Sequence, residues 1–403
     1  MTTIVKAANA AEFLSLVPHL LGFRPTRSLV VIPFASSRSL GAMRFDLPGD
    51  EADAMDRVAS TIIGMVCRIA EADALTTVVY TDARFADDER MPHRDLSDAL
   101  ARRADACGLR LSDALCVAAD GWGSYLDRDC PSEGRALASL ADEPAAAASL
   151  PDPQGDQASG ASLPSVDLAE KERVANALAS LADAVAVLCG PEAAGTGRSG
   201  SPRRETASSG AADPHSPDEQ SRRIDPRALA AVCTLDDLPT LFEGALAWDP
   251  STLDQYDAAA MTWCLSRPAL RDIALVQWCG GLAAGDEALD AQLRWEQGEE
   301  YPAHLAMHMW GEGARPDPDR LVAALELARR VAAAAPRESR PGPLATSAWL
   351  AWALGRSTHA EVYALEACEI DPEHGLAEIV RSFVHAGHLP EWAFQRPPKG
   401  VRA

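Results

Sequence analysis

The stretch that decides the fold is residues 9–34, which read NAAEFLSLVPHLLGFRPTRSLVVIPF. Asn9, with Glu12 three residues later, forms a capping box that predicts the start of a helix. Gly22 predicts the end of this helix, because glycine readily adopts the left-handed conformation that terminates helices. Pro18 lies inside and lacks an amide donor, so we expect it to kink the helix or split it into two short turns.

One face of this helix is apolar and must pack on a core. We expect Leu16 and Leu20 to be buried there. The corner at residues 23–25 then leads into residues 28–34, a continuous apolar run typical of a strand covered on both faces. The apolar positions at helical spacing are Phe13, Leu16, Val17 and Leu20.

The following segments predict an α/β domain that ends near residue 140. A strand is predicted over 40–47, where it forms a hairpin with the first strand. Further strands are predicted over 75–80 and 109–119. Amphipathic helices are predicted over 50–72 and 95–106. This order predicts a mixed, partly parallel sheet flanked by helices, because each helical crossover returns in a right-handed sense.

Composition divides the remaining chain. Residues 141–166 are rich in Pro, Gly, Ser, Ala and Asp and predict a low-complexity linker, and a helix follows over 167–189. Residues 190–224 contain almost no large apolar side chain, so we predict a disordered linker that limited proteolysis cuts first. Residues 225–403 predict an all-helical domain.

Asp–Pro pairs mark predicted helix starts in this last domain. They occur at 225–226, 249–250, 317–318 and 371–372, and each offers a capping carboxylate followed by a first-turn proline.

Small residues also repeat near the end of the chain at a period of 36. The spacing matches the small positions of a tetratricopeptide-like helical hairpin, with an ordinary alanine-rich bundle as the alternative. The matching positions are Ala324, Ala328, Val331 and Pro336 in one copy, and Ala360, Ala364, Ala367 and Pro372 in the other.

The overall composition narrows the class of protein. A chain of 403 residues exceeds one ordinary core, which predicts two domains. The net charge of −22 argues against a nucleic-acid partner or an anionic membrane surface, since both need concentrated positive charge. Nine cysteines without paired short spacings indicate free thiols in a reducing cytoplasm. We expect neither a secretion signal nor a membrane span, because no apolar run approaches eighteen residues.

Three carboxylates directly follow predicted strands: Asp46, Asp82 and Asp120. If their strands were parallel neighbours, the carboxylates would meet at the carboxyl edge of the sheet and could hold Mg²⁺. The alternative is that Asp simply favours turns after strands. The hairpin would also run the strand of Asp46 opposite to its neighbour.

Four further residues are candidate ligand contacts. Arg24 and Ser28 lie at the start of the first strand and could bind an anion. The alternative is that an exposed arginine at a corner is only a solvated surface residue. Trp122 and Tyr125 could form the rim of a site or pack on each other. Ser124 between them lacks the glycine that a nucleophile elbow has two residues after its serine.

His304 and His308 stand one helical turn apart, a spacing that can bind zinc. A metalloprotease would need glutamate at position 305, where this chain has leucine. This excludes metalloprotease chemistry and leaves a zinc site at the two histidines as a minor alternative, so no metal ligand is assigned.

Several motifs together resemble an actinobacterial family known as domain of unknown function 4192. They are LVPHLLGFRPTRSLVVIPF, RFDLP, VVYTD, AADGWGSYL and PALRDIAL, followed by an alanine-rich helical end. The resemblance covers most of the predicted ordered chain and implies no established activity. In that family the segment after SYL usually carries several cysteines, whereas residues 127–134 here keep only Cys130.

These observations favour a non-catalytic cytoplasmic protein whose helical domain binds a protein partner. Small residues in helical hairpins build the concave surfaces on which such partners dock. The alternative is a metal-assisted hydrolase or transferase that uses Asp46, Asp82 and Asp120, and Mg²⁺ is a possible cofactor only in that case.

Overall fold

The computed structural model describes residues 6–49, 51–87, 90–140, 150, 152–190 and 224–395. The chain divides into two compact units, Met1–Ser159 and Gly160–Ala403. Residues 191–223 of the second predicted linker lie outside the described residues, so the predicted disorder stays a prediction. Of the first predicted linker, residues 152–159 belong to the first unit and 160–166 to the second.

The first unit is a mixed sheet with helices on both faces. Its strands are β1 (Ser28–Ala35), β2 (Arg38–Ser39), β3 (Met43–Asp46), β4 (Ala74–Tyr80), β5 (Arg110–Val117) and β6 (Trp122–Ser124). Its helices are α1 (Ala10–Leu21), α2 (Ala52–Cys67) and α3 (Arg94–Ala106). The hydrogen-bonded order is β2-β1-β4-β5-β6, and β3 also pairs with β1. Since β4 and β5 are parallel and the other pairs antiparallel, the predicted partly parallel sheet is confirmed.

The caps of α1 are confirmed. The Asn9 side chain accepts a hydrogen bond from the Glu12 amide at 2.9 Å, and Gly22 has φ of 80°. The helix is not split at Pro18, because Pro18 lies so close to the end that its missing donor interrupts only the last turn. The Gly22 amide closes that turn on the Pro18 carbonyl at 2.8 Å.

The buried face of α1 differs from the prediction at one position. Leu14, Leu16 and Val17 are buried, but Leu20 is 44% exposed, so its predicted burial is wrong. The face that packs on the sheet is centred on Val17, and Leu20 lies at its margin, since helical residues advance about 100° each.

Each face of the sheet has its own core. Leu14 and Val17 of α1 pack with Val30 and Ile32 of β1 on one face. On the other face, α2 and α3 cover alternate residues of the same strands, including Leu29 of β1. This two-sided burial explains the continuous apolar sequence of β1.

The structure corrects one predicted boundary and adds one strand. Helix α2 ends at Cys67 instead of residue 72, because two successive turns follow it. In these turns the Ile69 amide donates to the Val66 carbonyl, and the Ala72 amide donates to the Ile69 carbonyl. Strand β6 was not predicted, since three residues are too few for a visible alternation.

All the regular secondary structure in the described residues of the second unit is helical. Its helices are α4 (Leu168–Cys189), α5 (Pro226–Thr234), α6 (Leu238–Ala245), α7 (Gln255–Leu265), α8 (Pro268–Gly280), α9 (Leu282–Glu296), α10 (Ala303–His308), α11 (Pro318–Ala334), α12 (Pro341–Ala353), α13 (Ser357–Ile370) and α14 (Gly375–His385). Their largest fully buried side chains include Trp278, Trp349, Trp352 and Tyr363. No described helix is long and apolar enough to cross a membrane.

Two of the four Asp–Pro pairs start α-helices as predicted, those before α5 and α11. Asp249–Pro250 starts only a 3-10 turn, and α7 begins later because Asp254 caps it by accepting from the Tyr256 amide at 2.9 Å. Asp371–Pro372 precedes a turn, and His374 caps α14 instead.

The repeated small residues occupy equivalent places in two helices. They are fully buried in α11 (Ala324, Ala328 and Val331) and in α13 (Ala360, Ala364 and Ala367). Helix α12 packs against α11, α13 and α14, so the four helices stack in chain order. Small side chains permit this close approach of the helices.

Candidate functional site

The strand-end carboxylates lie at one edge of the sheet. Ser28, the first residue of β1, pairs with Asp46 at the end of β3 and with Tyr80 at the end of β4. The hairpin does reverse β3 relative to β1. Because β1 is itself antiparallel to β4, however, β3 points the same way as β4 and β5, and Asp46 reaches the edge where Asp82 and Asp120 follow their strands.

Sharing an edge does not bring the three carboxylates to one point. Three strand intervals separate β3 from β5, a distance of about 14 Å. One divalent ion binds oxygens at roughly 2.0 to 2.6 Å and cannot span that distance. Nowhere among the described residues is a group of three or more His, Cys, Asp or Glu side chains arranged to hold a metal ion.

Each carboxylate has its own partner. Asp46 accepts from Arg44 at 2.5 Å, and Asp82 faces Arg27 at 3.9 Å with both side chains exposed. Asp120 accepts from the backbone amides of Phe85 and Ala86 at 2.8 and 3.3 Å. Partial burial of Asp120 opposes ionisation, but these amides and a nearby guanidinium outweigh it and lower its pKa. Asp120 thus fastens the loop that follows β4.

Arg24 and Ser28 make separate structural contacts. Arg24 donates from Nη1 to the Pro153 carbonyl at 3.0 Å. Ser28 is fully buried, donates to the Thr26 carbonyl at 2.7 Å and accepts from Arg44 Nε at 2.7 Å. Arg44, the first residue of the RFDLP motif and not among the candidate ligand contacts, is the side chain that joins Ser28 to Asp46.

Trp122 and Tyr125 are both buried in the first unit. Trp122 donates from its ring nitrogen to Ser139 at 2.9 Å, and the Tyr125 hydroxyl donates to the Pro92 carbonyl at 2.5 Å. Burial raises the pKa of Tyr125 well above its ordinary value. The neighbouring Ser124 hydroxyl donates to the Asp113 carboxylate at 2.6 Å.

The two histidines one turn apart face different surroundings. His304 Nε2 lies 2.8 Å from a Glu287 carboxylate oxygen near the surface. His308 is wedged beside the rings of Trp349 and Trp392, and burial lowers its pKa. The two imidazole rings therefore do not face a common metal site.

A different surface exposes the apolar side chains that a partner could bury. Helix α9 turns small residues inward, and Gly285 lets it approach α8 so closely that a Cβ there would lie 2.1 Å from Gln277 Oε1. On the outside, Leu282 is 45% exposed and Leu293 48%. We call these two side chains, with the exposed carboxylates beside them, the α9 surface. Its carboxylates are Asp286, Glu287, Asp290, Glu296, Glu299 and Glu300.

Comparison with known families decides where the chain belongs. The family model described as Domain of unknown function (DUF4192) matches residues 11–391. The chain belongs to the DUF4192 family. No curated protein and no solved structure matches it.

The DUF4192 match covers both units, from the start of α1 to the last 3-10 turn at Glu391–Phe394. In the segment where this chain keeps a single cysteine, Arg135 Nη1 lies 3.5 Å from the Cys130 sulfur. Gly123 makes room for that sulfur, since a Cβ on this residue would lie 2.5 Å from it. Cys130 is therefore packed onto β6 of the DUF4192 fold.

Sequence reasoning missed the α9 surface in this DUF4192 protein. Leu282 and Leu293 are eleven residues apart, which equals about three helical turns. The sequence alone therefore showed that they lie on the same side of a helix. Which side of the helix faces the core was not readable, because small residues and leucines both suit a buried face.

Proposed function

We propose that this DUF4192 protein binds a protein partner through the α9 surface of its helical unit. The observation that carries the proposal is the exposure of Leu282 and Leu293 on one side of α9 beside six exposed carboxylates. Exposed large apolar side chains rimmed by polar ones mark interaction sites.

The charge of the α9 surface favours a basic amphipathic segment as its partner. Between residues 282 and 308 there are six acidic residues and one arginine, Arg294, which leaves a net charge of −5 with histidine neutral. Leu282 and Leu293 lie about 16 Å apart along the helix, a span that a partner helix of three turns can match. Lysine or arginine on that helix would meet the carboxylates.

We also propose that α11–α12 and α13–α14 are a pair of tetratricopeptide-like hairpins. The buried small residues at a period of 36 and the stacking of these helices support the proposal. We place the protein in the cytoplasm, because its cysteines lack the paired short spacings of a disulfide framework.

A binding role fits the geometry better than metal-assisted catalysis. The three strand-end carboxylates are paired one by one with Arg44, Arg27 and backbone amides. An Mg²⁺ site would require at least two of them to release these partners and converge.

The proposal is tested with a fluorescent synthetic helix that carries leucines on one face and lysines on the other. We expect fluorescence anisotropy to give a micromolar Kd that weakens at high salt. The double variant Leu282→Ser, Leu293→Ser should bind about tenfold more weakly, a loss of about 1.4 kcal/mol. The matched control is Leu365→Ser on α13, which changes a leucine of 42% exposure away from α9. Equal affinity of wild type and the double variant would place partner binding elsewhere.

A further inference from the structure

An irregular segment at the start of the second unit lies along α11. Residues 160–166, which read GASLPSV, form neither helix nor strand. Ala161 is 3% exposed and Leu163 packs against the main core of the helical unit, whereas Ser162 between them is exposed. Side chains that alternate in this way are typical of an extended chain with one side against a surface.

Two adjacent arginines of α11 hold the segment by its backbone. Arg329 donates from Nη2 to the carbonyl oxygens of Gly160 and Ser162, at 2.7 Å in each case. Arg330 donates from Nη1 to the Ser165 carbonyl at 3.3 Å. Because every residue offers a carbonyl oxygen, these bonds recognise the path of the backbone and tolerate many sequences.

Helix α13 provides the floor beneath the segment. Tyr363 is fully buried, and the Arg329 guanidinium lies 5.9 Å from the centroid of its ring. A Cβ on Gly160 would lie 3.9 Å from Cε1 of His359, one helical turn before Tyr363. The Tyr363 hydroxyl is buried and has no hydrogen-bond partner within the described residues. Residues 160–166 thus fill a groove between α11 and α13 and leave one polar group of that groove unpaired.

We propose that the groove between α11 and α13 binds an extended peptide of a partner protein, and that residues 160–166 occupy it in cis. The fitting peptide has a small side chain at the position of Ala161, a leucine two residues later and a polar group for the Tyr363 hydroxyl. This site is separate from the α9 surface. The segment belongs to the same chain, so its effective concentration is on the order of millimolar, and a partner must displace it.

The test uses the full chain and a fluorescent synthetic peptide of residues 158–168. In the opened variant Ala161→Lys, Leu163→Ser, the chain's own segment no longer fits, because lysine replaces a buried alanine and serine replaces a leucine packed on the core. We expect fluorescence anisotropy to show binding at least tenfold tighter than to wild type. Adding Arg329→Gln should weaken binding to the opened variant about tenfold. Adding the control Arg337→Gln, at an exposed arginine just beyond α11, should leave it unchanged.

A second measurement does not depend on the folding of the opened variant. The peptide, with a photoreactive leucine analogue at the position of Leu163, is crosslinked to the wild-type chain at about millimolar concentration, and peptide mass mapping locates the attachment. Crosslinks on α11 and α13 would support the proposal. Crosslinks on α9, or none, would overturn it. So would binding to the opened variant that Arg329→Gln leaves unchanged.

Discussion

Arg24 and Pro153 lie 129 residues apart in the chain, yet the Arg24 guanidinium donates to the Pro153 carbonyl at 3.0 Å. The backbone adds two bonds at the same corner, from the Arg24 amide to the Gly155 carbonyl and from the Gln154 amide to the Gly22 carbonyl, at 2.9 and 3.0 Å. The corner before β1 thus anchors a distant segment of the first unit.

Arg24→Ala should therefore cost about 1 kcal/mol of unfolding free energy, because it removes a charge-assisted hydrogen bond. A free surface arginine would cost about 0.5 kcal/mol or less. Urea denaturation measures the loss, and amide hydrogen exchange at Gln154 should speed up. Arg27→Ala is the matched control, since its exposed pair with Asp82 at 3.9 Å contributes little. Equal effects of the two substitutions would contradict the anchoring role.

Leu16 and Leu20 provide a matched pair within one helix. Leu16 is 7% exposed and Leu20 is 44% exposed. Leu16→Ala should cost about 2 to 5 kcal/mol through lost burial and the cavity left behind, whereas Leu20→Ala should stay within about 0.5 kcal/mol. Both values come from denaturant unfolding of the full chain. A larger loss for Leu20→Ala would mean that α1 presents its other side to the sheet.

Glu243 should make the helical unit sensitive to acid. Arg320 holds it through two hydrogen bonds of 2.6 and 2.9 Å, and these lower the pKa of Glu243. A lowered pKa in the folded state adds stability above the pKa of the unfolded chain, and this stability is lost as pH falls through the folded value. Between about pH 5 and pH 3, wild type should lose stability more steeply than Glu243→Gln. Urea unfolding at several pH values measures both slopes, and parallel slopes would exclude this carboxylate as a cause.

A side chain at Gly342 should destabilise the helical unit. A Cβ there would lie 2.4 Å from the Leu265 carbonyl oxygen, where α12 meets the end of α7. Gly342→Ala should cost about 1 to 3 kcal/mol by overpacking. Gly375→Ala is the control, because nothing lies within 4 Å of its Cβ position at the start of α14, and it should be neutral or stabilising by up to about 1 kcal/mol. Thermal unfolding compares the two variants, and a neutral Gly342→Ala would show that α12 can move away from α7.

Much of the architecture was predictable because it depends on chemistry between near neighbours in the chain. The Asn9 cap, the Gly22 stop and the apolar run of β1 each predicted an element that the structure contains. Where a competing cap lay nearby, the prediction failed, as at Asp249, where Asp254 caps the helix instead. Leu20 was misplaced because a helical pattern marks an apolar stripe and does not give its margins.

The sequence by itself determined the kind of most elements, the two-part composition of the chain and its DUF4192 family membership. Only the tertiary structure decided which side chains meet, since contacts between distant segments depend on strand order and on which faces are buried together. The antiparallel pairing of β1 put Ser28 beside Asp46 and Tyr80. The small inner face of α9 turned Leu293 outward. No local pattern records these contacts, because each depends on residues far apart in the chain.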